Sequence, residues 1–267
     1  MSSIEKSGFL SNQISQWIEK HRGENKLCFE LCEKINEFSH STMCDMVIHN
    51  MYLPEIIVSS LYVRAMSNFQ GIVIMAERGM INEAKVLLRC LLECMFAIVA
   101  IDKDKNIVKQ FVLEDLLQRR DYLKAYKRNR DKGIAQSGGA PSKEKIDKLL
   151  KEINNQIKIN SVKKMTTRDL AEKAGFITTY DSAYKLLSGT IHVNTRDLEQ
   201  YLKINEIGEI KKILWGPDTK EIDFILFNAA ESMIFVLNAI SRLFSIKYAE
   251  SWAAILDTYN DIGKEFK

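Results

Sequence analysis

Three prolines and twelve glycines are few for a chain of 267 residues. A sandwich or barrel of many short strands needs turn residues roughly every 8–12 positions, so this scarcity excludes such folds and leaves long helices. Cysteine is scarce too, and odd in number. Cys28, Cys32, Cys44, Cys90 and Cys94 lie inside apolar helical patterns, which suits reduced thiols rather than a disulfide framework. A glycine-rich phosphate loop, a dinucleotide fingerprint and a serine-hydrolase elbow are all missing. No charge of one sign dominates either. Lys and Arg number 38 against 35 Asp and Glu, a net charge of +3, so any attraction for an anionic partner has to come from a local patch. The N-terminal stretch MSSIEKSGFLSNQISQWIEK carries charges where a signal peptide needs an apolar core. No other stretch reads as a spanning helix, so a cytoplasmic chain without membrane contact is expected.

What the chain does have is apolar helix, with 46% hydrophobic residues to bury. Residues 84–101, AKVLLRCLLECMFAIVAI, are apolar on every side, the pattern of a helix enclosed by others. Arg89 and Glu93 stand one turn apart in its middle and require polar company, because unpaired charge is costly to bury. The candidate company is YKLLSGTIH, residues 184–192. If helix continues through it, Tyr184, Ser188, His192 and Arg196 share one stripe. Two readings of the stripe stay open. It could hold a phosphate and move a proton, or it could close a polar layer inside the core.

In chain order, apolar spacing predicts helices over 9–22 and 24–50, with Gly23 between them. A third runs over 54–78, with Pro54 in its first turn and Gly79 at its stop. The short link 79–82 predicts an antiparallel pairing of that helix with the central one. Residues 102–131 read as one charged helix and 132–141 as a small-residue loop and mobile tip. Ser142 caps the next helix, to about 160, and Thr166 with Asp169 forms a capping box for a short helix closed by Gly175. A helix from Thr179 carries the polar stripe. Residues 201–216 alternate, hold Gly208 and end before Pro217, which predicts a small β-hairpin or irregular arm. Helices over 218–248 and 249–266 complete an all-α multi-helix bundle. It is read as one domain, with 1–50 as an N-terminal extension, 54–131 as the central hairpin and following helix, and 142–267 completing the bundle.

A basic run over 119–132 contains Arg120, Lys124, Lys127 and Arg128, with Tyr122 and Tyr126 among them, a composition that an RNA-stacking surface uses. Charged solvated helices share that composition. Cys28, Cys32, His40 and Cys44 do not make one metal site, since Cys28 and Cys44 on a continuous helix lie about 24 Å apart. No metal and no cofactor are expected.

With Arg89, Leu91, Leu92 and Glu93 on one helix and Ser188 and His192 far downstream, residues 57–245 resemble a bacterial all-α family of unknown function. That family joins an RxLLE-type helix to a later SxxxH segment. More distantly the chain resembles the HEPN superfamily of helical bundles, many of them metal-independent ribonucleases of toxin and phage-defence systems. The resemblance implies an RNA-acting protein with a dimer-lined cleft, in which His192 handles a proton and an arginine steadies the phosphorane during 2′-hydroxyl attack. No arginine stands within residues 181–191, so Arg89 or Arg196 would supply that charge. The alternative is a non-enzymatic helical module that binds a nucleotide or a protein partner. The expected partners are therefore RNA, a second copy of the chain, or another protein.

Overall fold

The computed structural model describes residues 3–132, 142–191, 195–248 and 250–265. The short helix α1 (Ser3–Ser7) and a 3-10 turn (Gly8–Leu10) precede α2 (Ile14–Glu24) and α3 (Lys26–Asp45). The hairpin helices α4 (Leu53–Glu77) and α5 (Ile81–Lys103) follow, then α6 (Ile107–Leu113), α7 (Asp115–Asp131), α8 (Lys143–Ile159) and α9 (Thr167–Ala174). A short α10 (Ile177–Thr179) runs through a π turn (Tyr180–Tyr184) into α11 (Lys185–Ile191), and α12 (Thr195–Leu198) leads to the arm. The arm is β1 (Leu202–Ile204) paired antiparallel with β2 (Ile210–Ile213), and α13 (Ile222–Phe244) and α14 (Glu250–Glu265) end the described chain. This is the all-α bundle with a small hairpin that the sequence implies.

The centre is α5. It packs against α4, α13, α9 and α11, while α13 in turn touches α3, α4 and α14. From Cys94 to Ile101 every residue of α5 is buried, which accounts for the unbroken apolar run. Phe29, Leu31 and Ile35 of α3 are at most 1% exposed and join the same core, so the first fifty residues contribute to it directly. Helix α13 has the length and apolar composition to cross a bilayer, contrary to the expectation that no such helix exists; its Ile225, Leu226, Met233 and Leu237 are fully buried in the bundle. The pair α7–α8 stands at the periphery. No residue of α7 is buried, and in α8 Ile146 is.

Several local signals act as read. Pro54 sits in the first turn of α4. The Ser142 hydroxyl accepts the Lys145 N–H, and Thr166 and Asp169 complete their reciprocal capping box before Gly175 turns left-handed. Gly79 is more than a stop. Its φ is +69°, and a Cβ there would lie 2.6 Å from the Trp17 ring and 2.8 Å from the Asp218 backbone. The Asp218 N–H donates to the Gly79 carbonyl, 3.0 Å, tying the end of the arm to the α4–α5 link.

Several boundaries differ from expectation, among them the start of α2 at Ile14, the end of α3 at Asp45 and both ends of α13. Gly23 lies inside α2, and the break falls at Asn25, whose side chain donates to the His21 carbonyl. The helix expected over 102–131 is interrupted twice. α5 runs on to Lys103, and the Asp104 carboxylate then accepts the Asn106 N–H in a turn that competes with helix. A second interruption, at Glu114, separates α6 from α7. The loop expected as a mobile tip lies, from residue 133 to 141, outside the described residues.

Candidate functional site

The polar layer is built on a partly exposed stretch in the middle of α5. Arg89, Cys90 and Glu93 are half-buried there, and α11 lies across them. The π turn adds one residue to the helix that carries the partners. It leaves Asp181 and Lys185 at the surface and presses Tyr184, 5% exposed, inward. Tyr180 stacks on Tyr184 with ring centroids 4.8 Å apart. Asp181 bridges Arg168 of α9 and Lys185, and these cations hold its carboxyl below the usual range, the Lys185 hydrogen bond first.

Within the layer the hydrogen bonds form a circuit. Arg89 Nη2 donates to the Tyr184 hydroxyl at 2.6 Å, and that hydroxyl donates to Glu93 Oε1 at 2.7 Å. Arg89 Nη2 also lies 3.3 Å from Glu93 Oε1, closing a three-membered ring of charge and hydroxyl. Arg89 Nε donates to Ser188 Oγ at 3.1 Å, and Ser188 returns its own proton to the Tyr184 carbonyl at 2.8 Å. The guanidinium carbon stands 4.6 Å from the centre of the Tyr184 ring, close enough for cation–π attraction. Burial, then the hydrogen bond to Glu93, pushes the Tyr184 phenol above its ordinary pKa. That phenol is a donor here, far from serving as a base.

The structure therefore brings together Arg89, Glu93, Tyr184 and Ser188, as the sequence suggests. His192 lies outside the described residues. Arg196 lies on α12, and its side chain is outside them as well. Lys85, one turn before Arg89, pairs with Glu221, a partner that nothing in the local sequence announces. The neighbouring thiols are poor nucleophiles: burial raises the pKa of Cys90 and pushes Cys94 up to about 11. Among the described residues no group of three His, Cys, Asp or Glu side chains could hold a metal ion.

The basic set on α7 is a separate surface. At about 100° per residue, Arg120, Lys124, Lys127 and Arg128 fall on one side of the helix and Tyr122 with Tyr126 on roughly the opposite one, so rings and cations do not interleave on a single face. Arg120 pairs with Asp121 and Lys127 with Asp147 of α8, which neutralises half of the basic set. Tyr122 borders an apolar groove with Leu123, Leu149 and Ile153 between α7 and α8. Lys124 and Arg128 remain exposed, with no ion pair among the described residues.

A further cleft lies elsewhere, where the arm folds back over the start of α5. It encloses about 750 Å³ between Gly79–Glu83, the arm and Trp215–Asp218. The sequence reading had no signal for it, because its walls lie more than a hundred residues apart in the chain.

Residues 55–210 match the family of unknown function DUF5677, and the chain belongs to that family. The matched span covers α4 from Glu55 onward, all of α5, the whole polar layer and the arm as far as the start of β2. No curated protein and no solved structure matches the chain.

Proposed function

We propose that this chain is a non-enzymatic helical module that binds RNA, with the Arg89 layer bracing the platform. The observation that carries the reading is the closed circuit around Tyr184. The phenol, both hydroxyl contacts of Arg89 and the Glu93 carboxylate are committed to one another, and a group that must attack, accept or release a proton needs freedom the circuit removes. A buried polar layer of this kind fixes how α11 docks on α5. RNA is the partner favoured by surface charge, through the exposed Lys124 and Arg128 and the lysines of the arm.

A second reading, a metal-independent endoribonuclease of the HEPN type, draws support from one observation. Arg89 and Glu93 keep 22% and 36% of their side chains exposed, so the layer is not sealed. An arginine at its edge could meet a phosphate, with His192 as the proton carrier. Incubating the purified chain with total RNA and a metal chelator separates the two. The module retards RNA on a native gel and leaves its length unchanged, and Arg89→Lys lowers the melting temperature. Cleavage to cyclic-phosphate ends that disappears in His192→Ala at unchanged melting temperature would overturn the module reading and establish the nuclease.

A further inference from the structure

The cleft over the start of α5 has features that the fold does not require. Lys203 of β1 and Lys212 of β2 are directly opposite each other in the hairpin, and both line the cleft. Like charges in that position weaken a two-stranded sheet, and a two-stranded sheet is marginal to begin with. Lys220 lines the same space, and none of the three has an ion pair among the described residues. The cleft's own carboxylates form no ion pair with these lysines among the described residues. Asp218 turns back to accept the Lys220 N–H, and Glu83 sits in the first turn of α5, where the helix dipole favours it.

Beside the lysines stand two rings. Trp215 is 53% exposed and Tyr201 is 39% exposed, and both line the cleft. Tyr201 is held by its edge, since Asn82 donates to its hydroxyl and the Leu214 N–H to its carbonyl. Exposed rings beside cations that have no ion pair suit a ligand that carries both a flat face and a negative charge. Self-association through the outer edge of β2 explains the charge poorly, because two antiparallel copies of Ile210–Ile213 would set Lys211 against Lys212 of the other copy.

We propose that this cleft binds a nucleotide unit, its phosphate against Lys203 and Lys212 and its base on Trp215 or Tyr201. The unit can come from a free nucleotide or from a residue within an RNA strand, and only the second source rests on the RNA-binding reading above. Phe9 and the Gly79–Asp218 contact close the far wall and hold the arm in place.

The test uses the full chain, with a fluorescein-labelled oligoadenylate of 12 nucleotides and an ADP bearing a fluorescent ribose label, both read by anisotropy. Lys203→Glu/Lys212→Glu is expected to weaken both by about tenfold or more and to lower the salt dependence of RNA binding by about 1.4 in log–log slope, two phosphate contacts' worth. Trp215→Ala is expected to weaken both by about tenfold, with Trp215→Phe recovering most of it. ADP binding without RNA binding supports the cleft and overturns the RNA reading. RNA binding that the charge reversal leaves unchanged overturns the cleft and spares that reading. Failure of both probes to bind, or equal displacement of ADP by poly-L-glutamate, overturns the nucleotide assignment.

Discussion

Two polar regions lie against helix α5, and they solve opposite problems. In its middle, Arg89 and Glu93 find Tyr184 and Ser188 within hydrogen-bond reach, so charge placed in the core is matched locally. Over its start, Lys203 and Lys212 of the arm face one another across two strands and have no ion pair among the described residues. A polar group that is satisfied within the chain fixes how its elements pack, whereas an exposed cation without an ion pair keeps its charge open to solvent or to a ligand. The same contrast runs through the apolar residues. Those around the layer, such as Leu88 and Leu91, are 1% exposed or less, while Ile207, Ile210 and Ile213 of the arm are 61% exposed or more.

The contrast should show first as a difference in stability. Gly79→Ala strikes the joint between the two regions, where a side chain meets both a left-handed backbone and the Trp17 ring. A loss of about 3 kcal/mol or more is expected in urea denaturation. A wild-type midpoint would mean that the α4–α5 link is loose and the arm is not tied there. Tyr184→Phe removes the central hydroxyl from a mostly buried circuit and is expected to cost about 2 kcal/mol. If the cost were negligible while RNA processing vanished, the layer would be a working site and the comparison would collapse. Glu93→Ala should cost less, about 1 kcal/mol, because a third of that side chain is in water and solvent screens the pair.

A smaller effect should come from pH, beside the joint. His21 is buried between Trp17, stacked at 4.6 Å between centroids, and Phe29, and desolvation lowers its pKa from 6.5. The unfolded chain therefore takes up the His21 proton before the folded one does. Its contribution to stability is complete above about pH 6.5 and declines as pH falls below that value toward the folded pKa. Melting temperatures from pH 7.5 to 5.0 check this, and His21→Phe should flatten the His21 part of the slope; an unchanged slope would show that the ring already meets water. Last, Ile207→Ser and Ile210→Ser on the arm should change stability by no more than about 0.5 kcal/mol. A larger loss in dilute solution, growing on dilution, would show that a second copy covers the arm.

The bundle was legible because its signals are local and periodic. Pro54 and Gly79 bracket one helix of the central hairpin, the Thr166–Asp169 box starts another, and the apolar run over 84–101 announces enclosure. The candidate layer was half legible. Arg89 and Glu93 in an apolar helix demand a partner, and Tyr184 and Ser188 have the right spacing to be one, but the π turn that presses Tyr184 inward has no sequence signature. The breaks at Asp104 and Glu114 were missed because the charged pattern continues across them, while a side-chain turn at Asp104 takes the backbone bond. The reading of α7 joined cations and rings that share a segment but not a face.

By itself, then, the sequence determined which stretches are helical, which faces are apolar, and that a charged pair inside α5 must be answered. Those properties follow from spacing along a chain with a fixed helical period. Only the tertiary structure decided who answers it, that Lys85 meets Glu221, and that the arm closes a basic and aromatic cleft over Gly79. Each of these joins residues more than ninety positions apart, and no periodicity along the chain specifies which distant surface folding will bring against it.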